Sequence, residues 1–340
     1  MGYFRFIAVL FLLLIGGCRE NTGLQQPEKR LLPEFSSRQK QLQAIHLLVA
    51  ENKVAVKLSR SGSAWWVLER NWPADPKKIA DLLDSLAKAR LEEAKTKRPE
   101  RYQYLGLEDL SDPDAQGVEL QLQYPDRRQS ILFGKLDLMN QKSYARLAND
   151  PQSWRLDRAV ALSKNPDDWL QREIIDVPLA RISHVVVKSS TGPEFKLLRD
   201  SDHFAVLEGG SHDRQFRQNG DDLAGVLQAL AFDELQQVDS SKTPERELEF
   251  HGFDGFIVVV SAWRDQARVS IRMNTRFDEQ QARAFLAGKK TDEQQIETQI
   301  SAQKKYSEEL NRRFQSRQFL LPNETAAKLL LGRQQLLSKP

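Results

Sequence analysis

The chain has 340 residues and carries 50 Lys and Arg against 47 Asp and Glu, a formal net charge of +3 with both signs interspersed. That balance supplies neither a polybasic groove nor an acidic tail, which argues against nucleic acid as a partner. With 40% hydrophobic and 29% charged residues the body can bury a sizeable core, and its single cysteine excludes an internal disulfide and any metal site built on cysteine pairs.

At the N-terminus, Arg5 precedes an apolar run from Phe6 to Ile15. A run of about ten residues is half of what a spanning helix needs, so residues 1–17 read as a signal peptide. Ile15, Gly16, Gly17 and Cys18 resemble the bacterial lipobox, in which small residues let a peptidase reach the bond before an obligatory cysteine. The resemblance implies a diacylglycerol thioether on Cys18 and a periplasm-facing protein of the cell envelope held to the membrane through that lipid. Arg19 stands where the enterobacterial sorting rule wants Asp for inner-membrane retention, which favours the outer membrane. Residues 18–42 are polar and aperiodic and read as a tether.

The body shows an internal repeat. VAVKLSRSGSAWWVLER (Val54 to Arg70) aligns without gaps on PEFKLLRDSDHFAVLEG (Pro193 to Gly209), matching Lys57 with Lys196, Leu58 with Leu197, Arg60 with Arg199, and Val67, Leu68 and Glu69 with Val206, Leu207 and Glu208. Upstream, AIHLLV (Ala44 to Val49) corresponds to ISHVVV (Ile182 to Val187); downstream, Ile79, Leu82, Leu83 and Leu86 match Leu223, Val226, Leu227 and Leu230, the stripe of a helix that buries one face. Asp75 and Pro76 form an N-cap and first-position pair, a device that recurs at Asn165 and Pro166. Further strands are predicted from Val118 to Tyr124, Gln129 to Gly134, Phe256 to Trp263 and Ala267 to Met273. The pattern predicts an α+β fold: a tandem duplication, residues 43–178 and 179–338, of an antiparallel sheet with packed helices.

A charged, proline-free segment from about 277 to 314 has no counterpart in the first copy and reads as a helical insertion. Its thin apolar stripe includes Ile296, Ile300, Leu310 and Phe314, a candidate docking surface for an envelope protein partner. Trp66 must face away from Trp65 if the segment is a strand, which makes it a second candidate for binding.

GSAWWVLERNWPADPKKIADLLDSLAKAR (Gly62 to Arg90), NPDDWLQREIIDVPLARISHVVV (Asn165 to Val187) and RRFQSRQFLLP (Arg312 to Pro322) resemble the bacterial domain of unknown function 4340. The resemblance implies a membrane-tethered envelope protein, in some cases encoded beside ABC-type exporters, and an accessory role there.

None of the five histidines forms HxH or HExxH, and no GxSxG, phosphate-cradling loop or GxGxxG is present, so no metal, cofactor or catalytic residue is predicted. The acidic pair Asp221 and Asp222 reads as a solvated helix face, and His203 and His212 as loop residues. The sharpest chemical pair is His251 with Asp254 in EFHGFDGF, which would make a hydrolase if the two converged. The expected function is a non-catalytic binding or assembly module. The alternatives are a carrier of an apolar ligand between the repeats and that hydrolase.

Overall fold

The computed structural model describes residues 29–190, 192–200, 203–206, 217–238, 243–289 and 292–337. Cys18, Leu207 and His212 lie outside the described residues.

The first half contains β1 (Ala44–Val49), β2 (Lys53–Ser61), β3 (Ala64–Val67), β4 (Trp72–Pro73), β5 (Leu91–Ala94), β6 (Val118–Gln123), β7 (Arg128–Asp137), β8 (Lys142–Leu147) and β9 (Ser153–Leu156), with helices α1 (Phe35–Arg38), α2 (Pro76–Lys88) and α3 (Tyr102–Leu105). These strands form one antiparallel sheet in the order β4-β3-β2-β1-β6-β7-β8-β9-β5. In α2, Asp75 accepts from the amides of Lys77 and Lys78 at 2.8 and 3.3 Å, satisfying two donors that the first turn cannot. Its stripe Ile79, Leu82, Leu83 and Leu86 is buried.

The second half contains β10 (Glu173–Ile175), β11 (Ile182–Ser189), β12 (Gly192–Asp200), β13 (His203–Val206), β14 (Leu230–Ala231), β15 (Glu234–Gln237), β16 (Arg246–Gly252), β17 (Phe256–Asp265), β18 (Arg268–Phe277) and β19 (Arg317–Leu320), with α4 (Arg217–Ala224), α5 (Glu279–Gly288), α6 (Glu293–Phe314), α7 (Asn323–Leu329) and α8 (Arg333–Leu337). Its large sheet runs β13-β12-β11-β16-β17-β18-β19-β15, and β10 pairs with β14. The fold is α+β. Apart from the short β4, the two sheets have the same strand order, with β2 standing as β12 stands and β5 returning to the far edge as β15 does.

The pairing refines the sequence alignment. Leu58 faces Val67 as Leu197 faces Val206, and both leucines are fully buried. Opposite Lys57 and Lys196, however, stand His46 and Val186, two positions off the equivalence that AIHLLV and ISHVVV suggested. A two-residue slip keeps every side chain on its own face, so the apolar pattern could not reveal it.

Three expectations change. The tether ends earlier than residue 42: Leu31, Leu32, Phe35 and Leu42 are buried in the core, and Arg30 bridges Arg90. The helix predicted over Leu223 to Leu230 stops at Ala224, and Val226, Leu227 and Leu230 reach the core from a turn and from β14. Gly220 and Gly225 weaken that helix. Asn165 and Pro166 open a single 3-10 turn, Pro166–Trp169, whose residues are followed by a strand.

The insertion is helical, as α5 and α6, but its stripe is occupied. Ile296 and Ile300 pack with Ala282 and Leu286 in a small cluster between the two helices, and Leu310 and Phe314 enter the main core. Thr275 of β18 hydrogen-bonds Ser307 and Asn311 of α6, fixing the helix to the sheet. These four apolar residues therefore face this chain, and the docking surface assigned to them is withdrawn. A stripe of one residue per turn is the signature of any half-buried helix, whatever covers it.

A polar cleft as the candidate functional site

The two halves meet around Trp72, which is fully buried. Its ring meets those of Phe232 and Phe319 edge-on, with centroids 5.8 and 5.4 Å away, and its Nε1 donates to the carbonyl of Gln171 at 2.8 Å. Phe319 belongs to β19 and Phe232 lies between β14 and β15, so one side chain of the first half is enclosed by aromatic groups of the second.

Beside this knot opens a cleft of about 1250 Å³. The first half contributes Glu69, Arg70 and Asn71 from the turn between β3 and β4, together with Asp167. The second contributes the terminal strand β15 with Val238, residues of β17 and β18, Arg312 and Phe314 at the end of α6, and Gln315, Ser316 and Arg317 leading into β19. Strand β15 is hydrogen-bonded to β19 on one side, and consecutive residues Glu234 to Val238 line the cleft.

Arg317 bridges the walls. Its Nη2 donates to the carbonyls of Asn71 and Arg70 at 2.6 and 3.3 Å, and its Nη1 to that of Arg313 at 2.7 Å. Burial, and then the nearby Arg313, lower its pKa. Asp167 accepts from Arg70 at 3.0 Å, and this bond holds its carboxyl below the usual range against the opposing effect of burial. Glu69 accepts from the amide of Lys57 at 3.1 Å and Glu234 from Gln236 at 3.0 Å. The carboxylates of the cleft are thus engaged in hydrogen bonds within the chain. Asn71 and Ser316, at φ of 45° and 61°, hold left-handed backbone on facing walls, a conformation uncommon for serine.

The other predicted residues are dispersed. Asp254 pairs with Arg181 at 2.8 Å, whereas the ring of His251 stacks on that of His184 with centroids 4.2 Å apart and its Nε2 lies 3.4 Å from Glu249. The hydrolase pair therefore has separate structural partners. Trp66 is half-buried, paired with Ser59 and Pro73, while Trp65 packs on the core. Asp221 is not a solvated surface acid: it accepts from the amide of Phe204 at 2.8 Å and lies 2.6 Å from the His203 ring. The residues that build the cleft were missed because a turn and a helix end meet only through the tertiary fold; the basic run RRFQSR was the available signal.

The stacked imidazoles make stability depend on pH. Burial, then the neighbouring His251, lowers the pKa of His184 from 6.5 to about 4, and burial lowers that of His251. Neutral in the folded state and protonated in the unfolded one, the pair contributes nothing above pH 6.5 and an increasing penalty as pH falls toward 4. After allowance for solvent screening this amounts to about 1–2 kcal/mol near pH 4.5. In urea unfolding, His184→Gln should lose less stability than the wild type between pH 7 and 4.5; equal losses would contradict the assignment.

Among the described residues no group of His, Cys, Asp and Glu is placed to hold a metal ion, and no helix is long and apolar enough to cross a membrane. No curated protein and no solved structure matches the chain. The family profile described as a domain of unknown function, DUF4340, matches residues 65–254, from β3 through the turn after β16, and leaves α5 and α6 outside. That match spans more than half of the chain and takes in Trp72 and Phe232 of the joint, so the protein belongs to the DUF4340 family.

Proposed function

We propose that this protein is a lipid-anchored, periplasm-facing envelope component, retained at the outer membrane through Cys18, that acts as a non-catalytic binding or assembly module for another envelope protein, in the accessory role beside an ABC-type transporter that the family resemblance suggests. The observation that carries the binding reading is the cleft, a polar groove with a sheet edge along one wall and rigid packing beneath it. A terminal strand can receive an extended segment by main-chain hydrogen bonds, with the exposed side chains of Gln237 and Arg312 reading its polar groups. The polar lining disfavours an apolar ligand as the occupant.

A photo-crosslinking residue at Gln237 in intact cells should capture a partner that the same residue at Lys305, on the outer face of α6, does not. Arg312→Glu should reduce the adduct about tenfold, on the scale of a lost contact charge, with the melting temperature unchanged. Equal capture from both positions would refute the cleft as the docking site. Mass spectrometry of the native N-terminus should find acylated Cys18; another N-terminus would remove the anchor.

A further inference from the structure

The hairpin between β7 and β8 ends in a tip that exposes large apolar side chains. Leu136, Leu138 and Met139 are 40%, 75% and 95% exposed. The turn is ordered around Asp137, whose carboxylate accepts from the amides of Met139 and Asn140 at 3.2 and 3.3 Å and from the Asn140 side chain at 2.8 Å. Gln141 donates to the Leu138 carbonyl at 3.0 Å. The Asp137 carboxylate is thereby drawn into the turn and is only 15% exposed, while the apolar side chains point out beside the exposed Asn140 and Gln141. A turn needing only solubility has no use for three large apolar side chains exposed together. At the base of the hairpin, Gly134 and Lys135 receive the end of α3, which adds Tyr104, itself 71% exposed.

The position of this tip relative to the proposed anchor selects its occupant. The described chain begins at Lys29, whose carbonyl accepts from Leu91 of β5 at 2.8 Å and whose ammonium lies 5.3 Å from the Trp154 ring centroid on β9. From there the sheet order β5-β9-β8-β7 leads to the tip, about 20 Å away by strand spacing and rise. Ion pairs tie the two regions: Lys142 to Glu92 at 2.6 Å, and Arg155 to Glu92 at 3.2 Å. Between Cys18 and Lys29 the chain can span no more than about 40 Å. A body held through Cys18 therefore has this edge within reach of its bilayer, and the tip is the densest group of exposed large apolar side chains among the described residues.

We propose that the tip Leu136, Leu138 and Met139 inserts into the interface of the phospholipid bilayer to which the chain is tethered, orienting the body as a second contact. This rests on the lipid-anchored reading above. Small apolar tips of this kind sit at the headgroup and acyl boundary, and add to a tether what the tether cannot supply, a fixed orientation.

The test uses the chain from residue 18 with Cys18→Ser, held by an N-terminal histidine tag on phosphatidylethanolamine and phosphatidylglycerol vesicles containing nickel-chelating lipid. An environment-sensitive nitrobenzoxadiazole label is placed at Met139→Cys or, as a control, at Glu308→Cys, exposed on α6. The label at residue 139 should brighten about twofold and shift to the blue on the vesicles, as burial in the interface requires, and be quenched by nitroxide lipids; the label at 308 should not change. If the two labels behave alike, the tip does not insert and the inference is overturned. Because the tag supplies the tether, this result is independent of acylation, and a failure of the anchor reading would appear separately in the mass of the native N-terminus.

Discussion

Trp72→Ala lowers the unfolding free energy by about 3–5 kcal/mol in urea titration, because the removed indole leaves a cavity that the surrounding aromatic rings cannot fill. Trp72 is fully buried between Phe232 and Phe319, side chains more than 150 residues away in sequence, and the guanidinium groups of Arg313 and Arg317 lie 5.9 and 5.6 Å from its ring centroid. The damage should not stay in the first half. Hydrogen exchange should accelerate in β10, β14, β15 and β19, the strands that Phe232 and Phe319 keep in place. Trp72→Phe retains most of the apolar volume and loses the bond to the Gln171 carbonyl, so a smaller loss of about 1–2 kcal/mol is expected. A cost below about 1 kcal/mol for the alanine variant would mean that the halves are held together elsewhere.

Phe314→Ala should be comparably severe, at about 3–5 kcal/mol. Phe314 is 3% exposed, its ring meets that of Phe319 at 6.0 Å with the planes nearly perpendicular, and the neighbouring Leu310 is buried in the same core. The measurement separates two accounts of the insertion. A docking stripe predicts unchanged stability and a lost partner, whereas a core stripe predicts a lower denaturation midpoint. Ile300→Ala, in the satellite cluster between α5 and α6, should cost about 2–4 kcal/mol and leave the joint around Trp72 intact.

Local chemistry explains what could be read in the sequence. The capping pair Asp75 and Pro76, the stripe of α2 and the long strands β6, β7, β17 and β18 depend on neighbours within a few residues, and they appear where expected. The short strands β4, β5, β15 and β19 were not anticipated, since segments such as LEEA and ELQQ have no apolar alternation and become strands only because a sheet edge is available to them. Leu31, Leu32 and Phe35 were assigned to a tether because an isolated short apolar cluster among polar residues has no period to detect. The cleft was invisible for a related reason: Asn71 and Arg317 are hydrogen-bonded across 246 positions, and no spacing rule reaches that far.

The four ends of the two large sheets are treated unequally. Strand β4 is only two residues long and ends in Pro73, which has no amide hydrogen to offer a neighbour. Strand β5 is flanked by the incoming chain at Lys29 and Arg30 and carries Glu92 and Glu93 in ion pairs. Strand β13 has α4 and α8 packed against it. Among the described residues strand β15 has none of these guards, and its sequence, Glu234-Leu-Gln-Gln237, has few charges to repel another backbone. A protein produced without whatever normally covers that edge should therefore be prone to pair with itself, and its colloidal behaviour at high concentration becomes a gauge of whether the edge is filled.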